Sequence, residues 1–138
     1  MRSILFLCTH NSARSQLAEA LMRHEFGDRF IVHSAGTEAT RVKPEVPVVL
    51  EEIGVSTEGL YSKTIDQLED PVADIVVTVC DDARENCPWH PGRERTIHHS
   101  FRDPSGETSS PEARVQAFRD ARDVIHEWIR QTFSEPAS

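Results

Sequence analysis

Ser3-Ile4-Leu5-Phe6-Leu7-Cys8-Thr9-His10-Asn11-Ser12-Ala13-Arg14-Ser15-Gln16-Leu17-Ala18 is the stretch on which the fold turns. Ser3–Leu7 is a short apolar run that reads as a strand, and Leu17, Ala18, Leu21, Met22 and Phe26 then recur at helical spacing, with Gly27 well placed to end the helix. A strand that passes through a polar loop directly into a helix brings several main-chain N–H groups together at the positive end of the helix dipole. A tetrahedral oxyanion fits such a loop.

The same alternation continues outward from this unit. Further strands are expected at Phe30–Ser34, Asp74–Val79 and Thr96–Phe101. A second helix starts near Pro44 and places Val46, Val49, Leu50 and Ile53 on one face before Gly54. A third starts at Ser110-Pro111, an N-cap followed by proline, and buries Phe118, Ala121, Ile125, Trp128 and Ile129. Residues 35–43 and 54–73 are the least regular, with a helical turn within Tyr61–Leu68. The pattern is α/β: a single-domain, four-stranded parallel sheet with helices on both faces. Such sheets bind ligands beyond the carboxyl ends of their strands, where Cys8, Cys80 and Asp103 all fall.

Composition bounds the remaining choices. At 138 residues the chain fits one catalytic domain, expected over 1–133, followed by a frayed tail over 134–138. Hydrophobic and charged contents of 38% and 28% describe a soluble globule. The formal charge of −8 argues against nucleic acid as a partner, so an anion has to be attracted locally. The apolar stretch at the N-terminus is too short for a signal peptide and no run approaches a membrane span, which implies the cytoplasm and no membrane partner. Nothing demands more than a monomer. Three cysteines in a reducing compartment point to catalysis, redox exchange or metal binding rather than to a disulfide framework.

Within the loop Thr9, His10, Asn11, Ser12, Ala13, Arg14 and Ser15 supply the oxyanion cradle. Arg14 offers a planar fork of donors for two oxygens, and Ser12 or Ser15 can hydrogen-bond the Cys8 sulfur. The field of such a loop favours the thiolate, so Cys8 is the candidate nucleophile. Asn11 tolerates the left-handed backbone a tight cradle needs. His10 either lines the pocket mouth or is solvated. The plainer alternative, a buried cysteine and a surface arginine, fits the strand–loop–helix context less well. Asp103, at the start of the stiff loop Asp103-Pro104-Ser105-Gly106, is the expected proton donor, with a carboxyl pKa raised near the thiolate. Cys80 and Cys87, seven residues apart, add two thiols, and the three sulfurs together read as redox chemistry on an oxyanion. Cys80, Cys87 and His90, with His98-His99, match no usual zinc spacing, so neither metal nor cofactor is expected.

Together these residues resemble the low-molecular-weight tyrosine phosphatase superfamily. The resemblance rests on the Cys8–Ser15 loop, Gln16-Leu17-Ala18-Glu19, Ser34-Ala35-Gly36-Thr37 and Asp103-Pro104, and spans nearly the whole chain. Within it, Val77-Thr78-Val79-Cys80 and Asn86-Cys87-Pro88 are similar to thioredoxin-coupled arsenate reductases, which place a resolving pair of thiols there. Phosphatases of this fold lack that pair as a rule and usually carry an aromatic beside the aspartate-proline, where this chain has Ser105. Many such reductases have glycine and a further cysteine where this chain has His10 and Ala13, which implies some residual phosphatase activity.

The resemblance also implies chemistry. Cys8 attacks arsenate while Asp103 protonates the departing oxygen, Cys80 attacks the Cys8 sulfur and releases arsenite, and Cys87 takes over the disulfide for reduction by thioredoxin. Were 80–87 helical, the two thiols would stand about 10.5 Å apart along the axis, beyond the roughly 6.8 Å that a disulfide permits, so oxidation is expected to unwind the segment. In potassium-binding relatives Asn11, Glu19 and Ser34 match ligand positions. Lys63 falls where another ligand is an acid, and its ammonium is a candidate replacement for the cation. The rival readings are a tyrosine or small-molecule phosphatase working through a phosphocysteine, and a non-enzymatic oxyanion or redox sensor.

Overall fold

The computed structural model describes residues 1–69, 72–79 and 90–133. Cys80, Cys87 and the tail over 134–138 lie outside the described residues, as does the expected unwinding of 80–87. Four parallel strands, β1 (Arg2–Cys8), β2 (Phe30–Gly36), β3 (Ile75–Thr78) and β4 (Arg95–His98), lie in the order β2-β1-β3-β4. β1 is therefore central, with Cys8 opposite Gly36 and Leu7 opposite Thr78. Cys8 is the last residue of its strand rather than the first beyond it.

Side-chain alternation along β1 splits the core in two. Ile4, Phe6 and Cys8 join the larger cluster, which draws on helices α1 (Arg14–Phe26), α2 (Glu45–Glu51) and α3 (Pro111–Phe133). Leu5 and Leu7 face the other way, onto Ala35, Ala73 and Val76, where Ile65 and Leu68 from the 3₁₀ turn Ile65–Gln67 pack against them. That turn fulfils the expectation for the Tyr61–Leu68 stretch. Among the described residues no helix is long and apolar enough to cross a membrane.

Three local expectations need correction. α2 ends at Glu51, and its carbonyls turn into a tight loop in which Ile53 N–H bonds Leu50 O and Gly54 adopts φ +73°. Ile53 thus leaves the helical face and is exposed, although Val46, Val49 and Leu50 are buried as expected. β4 stops at His98, so Phe101 enters the core from the loop beyond it, held edge-on against Trp128. On α3 Ala121 and Trp128 are half-buried, while Arg122 and Phe133 reach the interior. The Ser110 cap is present: its Oγ accepts from Ala113 N–H at 3.0 Å.

Candidate active site

The loop between β1 and α1 is held open by its carbonyls. Thr9 O accepts from Glu38 N–H (3.0 Å) and from the Thr37 hydroxyl (3.2 Å), and His10 O accepts from the hydroxyls of Ser62 (3.0 Å) and Thr40 (3.3 Å). Asn11 O accepts from Gln16 Nε2 (3.0 Å), Ser12 O from Lys43 N–H (2.9 Å) and Ala13 O from Leu17 N–H (2.9 Å). In a planar trans peptide the C=O and the next N–H point opposite ways, so each carbonyl tied outward turns the following amide inward. Among the described residues the amides of His10, Asn11, Ser12 and Ala13 have no protein acceptor. Ala13 also caps α1 without a side-chain bond, and the positive end of the helix dipole lies at this end of the loop.

Two backbone features make the turn possible. Asn11 sits at φ +49°, the left-handed region that its side chain can support. Gly36 on β2 passes so close that a Cβ there would stand 2.6 Å from Thr9 O and 2.9 Å from both Asn11 N and Cys8 O. Only glycine fits.

At the base of the loop Cys8, 3% exposed, has its Sγ 2.8 Å from Ser15 Oγ. Neighbouring groups leave the Ser15 hydroxyl free to donate. Lys63 N–H, a donor that cannot invert, bonds Asn11 Oδ1 at 2.9 Å, so the Asn11 amide group must face Ser15 Oγ (2.8 Å) and Ser34 Oγ (3.0 Å). Ser15 Oγ thereby accepts from Asn11, which leaves its own proton available to the sulfur, an acceptor as a thiolate. The Ser34 hydroxyl, in the same position, donates to Glu19 Oε1 at 2.5 Å. Ser15 rather than Ser12 is thus the partner of Cys8.

Arg14 is buried and aimed by carbonyls from the segments that follow β3 and β4, Val79 O at 3.4 Å and Phe101 O at 3.1 Å. Its Nη2 lies 3.7 Å from Asp103 Oδ2, so the expected proton donor does come to the cradle. The expected raising of the Asp103 pKa is not found. Burial pushes it up, but the Ser105 hydroxyl (2.6 Å) and amide (2.9 Å), with the charges of Arg14 and Lys43, outweigh burial and hold the carboxyl below its usual value. The balance favours the Asp103 carboxylate. A cleft of about 490 Å³ between residues 99–107 and α3 has Asp103 on its wall but none of Cys8–Ser15, so it adjoins the cradle rather than containing it.

Asn11, Glu19, Ser34 and Lys63 form one buried cluster. Lys63 Nζ is 3.6 Å from Glu19 Oε1 and donates to Tyr61 O at 3.0 Å, over the Tyr61 ring. Burial lowers the Lys63 pKa, opposed by the Glu19 charge. His10 points outward, 3.4 Å from Glu38 at an exposed position. His98 bonds Thr78 across the sheet and His99 stacks on Trp128, both packing residues. Sequence reasoning missed the outer ties from Thr37, Glu38, Thr40, Ser62 and Lys43, which come from the irregular stretches. It also gave Gln16 no role, although Gln16 and Glu19 at i, i+3 are polar residues flanking the apolar Leu17 and Ala18.

Comparison with known proteins agrees with this geometry. The family model for low molecular weight phosphotyrosine protein phosphatase matches residues 3–135. An arsenate reductase of Halalkalibacterium halodurans is 41% identical over 132 residues, covering 96% of this chain and 94% of that protein. An arsenate reductase solved in its phosphate-binding state superposes with a TM-score of 0.79 at 27% identity, covering 97% of this chain and 98% of that one. The thioredoxin-dependent arsenate reductase of Corynebacterium glutamicum gives a TM-score of 0.62 at 26% identity, covering 96% of this chain and 63% of that one.

Proposed function

The chain belongs to the low molecular weight phosphotyrosine protein phosphatase family, and from that premise we propose that it is an arsenate reductase with Cys8 as nucleophile. The observation that carries the reading is the Cys8 sulfur bonded by Ser15 at the base of a loop whose carbonyls are all turned away. A tetrahedral anion is met there by inward amides and by the Arg14 fork, which matches two of its oxygens. Arsenate and phosphate share that shape and charge, and the fold relative in its phosphate-binding state supports the analogy.

Cys8 thiolate attacks arsenic and an oxygen leaves with a proton from Asp103. The carboxylate acquires that proton when the anion arrives, because two negative groups beside it raise its pKa. Cys80 then attacks the Cys8 sulfur. A Cys8–Cys80 disulfide forms, the As–S bond breaks, and arsenic leaves as arsenite with the two electrons. Cys87 attacks Cys80, which frees Cys8, and thioredoxin reduces the Cys80–Cys87 disulfide. The cradle and Asp103 also suit phosphate esters, so a phosphatase side activity through a phosphocysteine accompanies the main reaction. The Lys63 ammonium, 3.6 Å from the Glu19 carboxylate that Ser34 also binds, serves as the cation of that cluster.

The test mixes reduced protein with arsenate, thioredoxin, thioredoxin reductase and NADPH, and follows NADPH oxidation. Cys8→Ser, Cys80→Ser and Cys87→Ser should each abolish steady turnover, while phosphatase activity should need only Cys8. Turnover that survives loss of Cys80 and Cys87 overturns the relay. Replacing potassium by sodium should leave the rate unchanged.

A further inference from the structure

Gln16 is wholly buried in the first turn of α1, and its carboxamide is used in a lopsided way. Nε2 lies 2.9 Å from Asn11 Oδ1, 3.0 Å from Asn11 O and 2.9 Å from Tyr61 O. Two protons therefore serve three acceptors. Its Oε1 is buried with no donor within reach among the described residues. Exchanging the oxygen and nitrogen would set an acceptor against three oxygens, so the orientation is decided by its surroundings. A buried oxygen left without a donor is unfavourable, and what offsets it here is a donor delivered to three acceptors that otherwise lack one or share one.

We propose that Gln16 is a positioning residue for oxyanion binding, which holds both oxygens of Asn11 and so sets the amide of Ser12 and the thiol-directed bond of Ser15. Two consequences follow from the bonds already described. Asn11 O held outward turns Ser12 N–H inward across the same planar peptide. Asn11 Oδ1, shared between Gln16 and Lys63 N–H, keeps the other end of that amide on Ser15 Oγ and through it on Cys8 Sγ. By also binding Tyr61 O, Gln16 ties the 61–64 segment to the loop, and that segment carries the Lys63 amide. One side chain thus fixes the handed residue of the cradle from behind, without touching the anion.

This inference deepens the site reading above and depends on an anion binding at the cradle, not on thioredoxin or on arsenic redox chemistry. It is tested with Cys80 and Cys87 both replaced by serine, so that Cys8 is the sole thiol. The readouts are the rate of Cys8 alkylation by iodoacetamide as a function of pH and its protection by inorganic phosphate. In Gln16→Met, which keeps the side chain's length and removes its hydrogen bonds, half-protection should need about tenfold more phosphate, and the pH midpoint of alkylation should rise. Gln16→Glu, close to isosteric, reads the same quantities should the methionine variant not fold. Its carboxylate faces the same oxygens, so protection should weaken at least as much at neutral pH. A lower melting temperature with phosphate protection and the alkylation midpoint unchanged makes Gln16 merely structural and overturns the proposal. Failure of the wild type to turn over arsenate, with these shifts present, sinks the reductase reading and leaves Gln16 in its role.

Discussion

At Cys8 a single hydroxyl decides how the sulfur is held. Ser15→Ala removes the only side-chain hydrogen bond described for Cys8 Sγ, and a bond to a charged group contributes about 1.5–3 kcal/mol. We expect arsenate kcat/KM to fall roughly 10–100-fold, measured in the coupled NADPH assay. Ser105 acts on Asp103 in the opposite sense from burial. Its hydroxyl and amide stabilise the carboxylate, so Ser105→Ala should raise the Asp103 pKa and move the alkaline limb of the pH–rate profile, where a proton donor is lost, to higher pH. An unmoved limb counts against Asp103 as the proton donor. The residue types at Cys8, Arg14 and Asp103 were legible because chemistry constrains them and strand ends place them. The state of Asp103 was not, because it depends on two bonds from a residue with no chemical signature of its own. Asn11 was legible as a left-handed position, whereas the fixed direction of its amide depends on Lys63, 52 residues away.

Helix ends show the same division among the elements. α2 has only seven residues, and its last carbonyls need partners: Val48 O receives Glu52 N–H, Leu50 O receives Ile53 and Val55 N–H, and Glu51 O receives Gly54 N–H. Val49 O is served by Arg122 Nη1 from α3 at 2.8 Å, and the same nitrogen reaches Glu52 at 2.9 Å. Arg122→Met should therefore destabilise the fold by about 1–3 kcal/mol in urea denaturation, since it orphans a buried carbonyl. α1 and α3 are joined by Glu25, which accepts from His126 at 2.7 Å and from Arg130 at 3.2 Å. The His126 bond lowers the Glu25 pKa, with burial opposing it and Arg130 adding to it. A lowered acid stabilises above its unfolded pKa and loses that contribution as pH falls through its folded value. Glu25→Gln should thus cost about 0.5–1 kcal/mol at pH 7 and nothing at pH 2–3, by thermal melts at both. Periodicity foretold most of each buried face, Leu17, Ala18, Leu21 and Met22 on α1, Val46, Val49 and Leu50 on α2 and Phe118, Ile125 and Ile129 on α3, but not that Ile53 would be exposed or Ala121 and Trp128 only half-buried. It could not foretell that Arg122 would be drawn inside, because a buried guanidinium depends on a carbonyl presented by another helix.

Across the whole molecule the cradle is sewn to segments 37–43 and 61–64, to Val79 and to Phe101, so binding of an anion stabilises much of the chain at once. Phosphate at about 100 times its dissociation constant should add roughly 2.7 kcal/mol and raise Tm by about 10 °C. Arg14→Ala should remove most of that rise, and a full rise in the variant would mean that phosphate binds elsewhere. The order of apolar runs and amphipathic periods dictated a parallel sheet with its reactive residues at the carboxyl edge, because period and strand length are local properties that a chain carries in its own residues. Which carbonyls turn outward, which serine meets Cys8 and what holds the Asp103 pKa down were settled only by packing. Each depends on a donor from a distant segment, and hydrogen bonds between segments remote along the chain leave no period to read.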